Sequence, residues 1–180
     1  MIARVSAAPT PSLQPLDETV DHVRGASAGR LILEYGDYEC PYSRRAYREI
    51  ERLEARLDGS IRFAFRHFPL VDIHPHALAA SAAAEAAAMQ GRFWEMHDVL
   101  FHRQRALADD DLRAYAAQLG LDVARFDADR ASAGALERIR RDVESGAATG
   151  EVLGTPTLFI DETVHRGGYE AATLMDALGA

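Results

Sequence analysis

The chain has 180 residues, 48% of them hydrophobic, and a formal net charge of -8 at pH 7. That is enough for one domain with a sizeable core, and its acidic balance argues against a nucleic-acid or anionic-membrane partner, since both require clustered positive charge. Every basic side chain is Arg and there is no Asn, which excludes Schiff-base lysine chemistry, a P-loop lysine, Asn glycosylation and a Cys-His-Asn triad.

Residues 1–21 carry Pro9, Pro11 and Pro15 among small polar side chains and read as an N-terminal arm. They lack the apolar core of a secretory signal, and no run reaches the ~18 apolar residues of a membrane span. A cytoplasmic location is the expectation. The single Cys cannot form an internal disulfide, which suits a reducing compartment. The segment from Arg30 begins as an apolar run and reads as a buried strand ending near Tyr38. Pro41 then suits the first position of a helix, where a missing N–H costs nothing. Ala46, Ile50, Leu53 and Leu57 form that helix's apolar stripe, and Gly59 falls just past its end. Ile61, Phe63 and Phe65 alternate with Arg62, Ala64 and Arg66, which predicts a second strand, half-covered. Strand, helix, strand is a βαβ unit with parallel strands.

From about residue 75 to residue 148 the pattern is helical. Helices are expected over Ala77–Met89, Phe93–Gln104, Asp109–Leu119 and Ala133 to about Ala147, with a break from Gly120 to the Asp127 region. Thr157–Ile160 is a short apolar strand, Thr163–Arg166 its hairpin partner, and Tyr169–Leu178 a closing helix. The arginines, mixed with Asp and Glu, read as solvated helix faces with i,i+4 pairing and not as a basic patch.

The segment that carries chemistry is Cys40-Pro41-Tyr42-Ser43, where a strand hands over to a helix. Unpaired first-turn N–H groups and the helix dipole both favour a thiolate there. The dipole contributes only about 0.3–1 kcal/mol, under one pKa unit, so direct N–H···S bonds must add to it. Glu39 opposes the effect if its carboxylate lies close. Ser43, three residues on, can donate a hydrogen bond to the sulfur but cannot attack a mixed disulfide. Taken alone, a lone Cys is more often a buried small hydrophobe. Thr155-Pro156 sits just before the late apolar strand, where Pro is tolerated. His74 and His76 form a weak metal pair with no third ligand, and no metal site is expected. His67, Trp94, Phe93 and Phe101 read as packing residues. Asp109, Asp110 and Asp111 read as N-terminal helix charge.

Together, Glu39-Cys40-Pro41-Tyr42-Ser43, Phe65-Arg66-His67-Phe68-Pro69-Leu70, Gly154-Thr155-Pro156-Thr157-Leu158-Phe159-Ile160 and Gly167-Gly168-Tyr169 resemble the DsbA-like branch of the thioredoxin superfamily. The resemblance covers about Asp21 to Leu178. It implies an α/β, thioredoxin-like fold over residues 22–180, with a helical subdomain inserted at about 75–148 between the βαβ and ββα halves. It implies catalysis at Cys40, assisted by Ser43, and substrate binding by Pro41, Tyr42, Thr155 and Pro156, with the Thr155–Pro156 bond cis. The family's second Cys is Ser43 here, so the dithiol oxidase activity is not expected. The reading that follows is a monothiol thiol–disulfide oxidoreductase. It acts on a disulfide-containing protein or a glutathione-type small thiol, binds no cofactor, and uses glutathione or another low-molecular-weight thiol as cosubstrate. The start also resembles kappa-class glutathione transferases and their isomerase relatives, for which Cys40→Ser would retain activity. A third reading is a non-catalytic peptide-binding module.

Overall fold

The computed structural model describes residues 13–57 and 60–179. Gly59, Pro9 and Pro11 lie outside the described residues, as does the final residue of the expected domain.

The apolar segment Arg30–Gly36 (β2) stands inside a five-stranded sheet. Helix α1, Pro41–Leu57, links it to the parallel strand β3, Ile61–His67. Four-residue β1, His22–Gly25, pairs antiparallel with β3 on its outer side. On the other side of β2 lie β4, Thr157–Ile160, and the two-residue β5, Thr163–Val164, both antiparallel. The order across the sheet is β1-β3-β2-β4-β5. Between β3 and β4 come α2 (Ala77–Ala88), α3 (Phe93–His102), α4 (Asp109–Gln118), α5 (Val123–Arg130) and α6 (Ala133–Ala148). Helix α7, Ala171–Leu178, ends the described chain and packs near α1.

Strand β3 is covered on both faces, not half-covered. Phe63 and Phe65 join the main core with Ile50, Leu53, Ala83, Ala84 and Phe101. Ala64 belongs to a second cluster with Leu33, Tyr35, Val152 and Phe159, against which Leu13 and Leu16 pack. The end of the N-terminal arm is therefore a packed layer. Fully buried Arg66 holds it: the guanidinium donates to both oxygens of Asp21 at 3.0 and 2.8 Å, and to the carbonyls of Gln14 and Pro15 at 3.1 Å.

Two elements carry too little apolar pattern to be read from sequence. β1 forms because the edge of β3 has backbone groups that need partners. Helix α5 buries only Phe126 and is held at its start by Asp122, whose side chain accepts the Arg125 N–H at 3.0 Å. The expected hairpin partner is shorter than Thr163–Arg166, and α7 begins at Ala171, not Tyr169.

Candidate active site at the β2–α1 junction

Four residues, Asp37-Tyr38-Glu39-Cys40, turn the chain from β2 into α1. The Cys40 N–H donates to the Asp37 carbonyl at 3.1 Å, and the Cys40 carbonyl accepts the Arg44 N–H at 3.1 Å, the first bond of the helix. Cys40 thus stands at the helix cap, and Pro41 opens the helix without losing a bond. Fully buried Asp37 organises the turn. One carboxylate oxygen accepts the Glu39 N–H at 2.8 Å; the other accepts the Leu70 N–H at 2.9 Å and lies 2.7 Å from His74 Nδ1. Glu39 is held by His76, through the backbone N–H at 2.6 Å and Nδ1 at 3.0 Å. His74 and His76 therefore serve different carboxylates and do not converge.

Cys40 is 3% exposed, and its Sγ donates to the Thr155 carbonyl at 3.2 Å. The Thr155–Pro156 bond is cis. Thr155 Oγ1 is buried with no hydrogen-bond partner in the structure. The structure therefore brings Cys40, Pro41 and the Thr155-Pro156 loop together. Ser43 is placed differently from the expectation. It is buried, and its Oγ accepts the Asp37 N–H at 3.2 Å. Among the described residues no hydrogen bond joins Ser43 to Cys40. Tyr42 is 62% exposed and points no polar bond inward among the described residues. Val71, Ile73 and Leu153 are also exposed. Val71 and Ile73 lie on the segment tied to Asp37 through Leu70 and His74, and Leu153 on the loop that touches Cys40. Both of these segments carry exposed apolar side chains.

Sequence reasoning missed Glu34. Its carboxyl is fully buried on β2, and neither oxygen has a hydrogen-bond partner among the described residues. Burial pushes its pKa up to about 8, with Arg24 pulling weakly the other way. Burial, and after it the charges of Cys40 and Glu34, raises the Tyr169 phenol. Gly36 leaves room for this: a Cβ there would meet the Phe65 ring at 2.4 Å and Glu34 Oε1 at 2.7 Å. The available signal was a lone acid inside an otherwise apolar strand.

His22, His67 and Glu85 bring metal-ligating atoms within 4.8 Å of one another. Glu85 Oε1 lies 2.7 Å from both His22 Nε2 and His67 Nε2. An ionised carboxylate only accepts, so both ring nitrogens donate protons to it. In this arrangement each Nε2 carries a proton and offers no lone pair to a metal, and the trio serves as a tie between β1, β3 and α2.

The Thioredoxin family matches residues 17–179. A thioredoxin-like oxidoreductase from Silicibacter pomeroyi DSS-3 superposes with TM-score 0.79 at 25% identity, covering 96% of each chain. Oxidised BdbD from Bacillus subtilis gives 0.78 at 18% identity, over 93% of this chain and 95% of that one. Wolbachia pipientis α-DsbA1 gives 0.76 at 19%, over 93% and 92%. A curated relative, the Na(+)/H(+) antiporter NhaA 1 of Mycolicibacterium gilvum, is 43% identical over 171 residues, which are 93% of this chain and 28% of that protein. The Herminiimonas arsenicoxydans antiporter NhaA is 43% identical over 167 residues, 92% of this chain and 26% of that protein. The chain thus spans about a quarter of the length of these relatives. Among the described residues, no helix is long and apolar enough to cross a membrane.

Proposed function

The chain belongs to the thioredoxin family, with a DsbA-like fold, and on that footing we propose that it is a thiol–disulfide oxidoreductase working through one thiol, that of Cys40. The observation that carries this reading is the 3.2 Å contact between Cys40 Sγ and the Thr155 carbonyl. It sets the sulfur at a helix start, beside a backbone strip and a Thr155 hydroxyl, unpartnered among the described residues, that can bind an extended substrate. The exposed Tyr42, Val71, Ile73 and Leu153 give that substrate an apolar surface.

With Ser43 in the position of a second thiol, turnover needs an outside thiol of the glutathione type. The Cys40 thiolate attacks the glutathione sulfur of a protein–glutathione disulfide. That S–S bond breaks, a Cys40–glutathione disulfide forms, and the protein sulfur leaves as a thiolate and takes a proton from water. A second glutathione thiolate attacks the Cys40-bound glutathione. Glutathione disulfide leaves and Cys40 returns as thiolate. The net change is reduction of the protein sulfur to a thiol and oxidation of one glutathione thiol, which pairs with the glutathione already held in a disulfide.

The test is the rate of deglutathionylation of a glutathionylated peptide in the presence of glutathione. Cys40→Ala is expected to reduce the rate to the uncatalysed level. Equal rates for the variant and the unaltered chain would reject the reading.

A further inference from the structure

Arginine is distributed unevenly by partner. Arg24, Arg62, Arg66, Arg130 and Arg138 each have a carboxylate at hand, as do the exposed Arg45 and Arg52. Among the described residues, Arg44, Arg48, Arg56, Arg103 and Arg105 make no ion pair. All but Arg56, which stands in the last turn of α1, are gathered in one place. Arg44 and Arg48 lie four apart on α1 and so share a face. Arg103 and Arg105 flank Gln104, whose amide donates to the carbonyls of Tyr38 at 2.8 Å and Cys40 at 2.9 Å. That clamp draws the segment after α3 against the Cys40 turn.

Two clefts open there and share Arg44. One, of about 350 Å³, is lined by Pro41, Arg45, Arg48 and Gln104 as well. The other, of about 540 Å³, adds His102, Arg103, Arg105 and Tyr115. Arg44 Nε is buried with no partner among the described residues, while Nη2 donates to the His102 carbonyl at 3.4 Å. Burial, then the charges of Arg48 and Arg105, disfavour the Arg44 cation. The acids at the rim are otherwise engaged: Glu49 holds Arg52 and the Ala171 N–H, and Asp111 accepts the Ala108 N–H. Crowded, unpaired guanidiniums are costly in an acidic chain with carboxylates to spare, and their forked donors match a carboxylate ligand.

We propose that this arginine cleft seats the external thiol: it binds the carboxylates of a small anionic peptide thiol of the glutathione class, whose sulfur then reaches Cys40. The inference rests on the monothiol reading above and supplies its cosubstrate site. Scale agrees. Arg44 and Arg48 stand one and two helical turns from Cys40, about 6 and 12 Å along α1. An extended tripeptide spans about 10 Å.

The test is calorimetric titration of the full chain carrying Cys40→Ser with S-methylglutathione, a thioether that cannot exchange disulfides. Saturable binding is expected, weakening as salt rises. Replacing exposed Arg48 and Arg105 together (R48A/R105A) should raise Kd at least tenfold, and R48K/R105K should restore part of the loss. The diester of S-methylglutathione should bind at least tenfold more weakly. Absence of binding, an unchanged Kd in the alanine pair, or equal affinity for the diester overturns the proposal; so does binding of an acidic peptide where S-methylglutathione fails. Because no exchangeable sulfur takes part, failure here leaves the Cys40 turnover assay untouched, and failure of that assay leaves this binding measurement standing.

Discussion

The side chain three residues after Cys40 decides how a disulfide held there is released. Ser43 Oγ is buried and takes the Asp37 N–H, so it braces the turn and supplies no nucleophile. Ser43→Cys should convert the site to a dithiol. After oxidation both thiols should be lost to thiol titration, and one round of deglutathionylation should proceed without added glutathione, later rounds still needing a reductant. Two free thiols after oxidation would count against that geometry. Glu34 sets a pH dependence. Its folded pKa of about 8 stands above its ordinary 4.5, so between those values the folded chain holds a proton that the unfolded chain has released. Its contribution is full below pH ~4.5 and is lost as pH rises through about 8, at up to about 1.4 kcal/mol per pH unit. Glu34→Gln should flatten this decline. The check is urea denaturation of both chains at pH 5 and pH 8.5; parallel losses would dismiss Glu34 as the cause. The thiol, its proline and the Thr155-Pro156 loop were legible in the sequence because motif order carries them. Glu34 and Asp37 were not, because a carboxylate's role depends on whether water reaches it.

Short elements are held by polar ties that periodicity does not record. β1 has no fully buried residue, yet His22 from it and His67 from β3 both bond Glu85 of the alanine-rich α2. Burial works to raise the Glu85 pKa, but the two histidine bonds and their charge hold it far below the usual carboxylate range. The stability it provides is therefore present above the ordinary carboxylate pKa and fades as pH falls through the depressed value. Glu85→Ala should cost about 3 kcal/mol, because the buried His67 ring and the half-buried His22 ring both lose their acceptor. Chemical denaturation at pH 7 measures it, and a change under 1 kcal/mol would show that the rings find other partners. Sequence gave the alanine helix its type and near-correct bounds. It did not mark Glu85 as different from any other acid in a helix.

Across the molecule, the sheet's second face is closed by the end of the N-terminal arm and by α6. The link is Arg66 with Asp21, both buried, and burial's tendency to raise Asp21 is outweighed by the Arg66 bonds, which lower it. Asp21→Ala strands a buried guanidinium and should cost about 3–5 kcal/mol. Equilibrium unfolding tests this, and a loss under 1 kcal/mol would mean that the Tyr35 hydroxyl and the Gln14 and Pro15 carbonyls already suffice for Arg66. The arm read as a loose tail because Pro15 and its polar neighbours lack periodicity; Leu13, Leu16 and Asp21 acquire meaning only against β3. The arginines read as paired helix faces, which holds for Arg140 with Glu137 and Glu144 but fails at Arg44 and Arg48. By itself the sequence determined the order of strands and helices apart from β1 and α5, the fold class and the position of the thiol, since these follow from local apolar spacing and short contiguous motifs. Only the tertiary structure decided which charges are buried, which are paired and which arginines crowd one cleft. Those outcomes depend on residues distant in the chain meeting where water is excluded, and no local pattern encodes that distance.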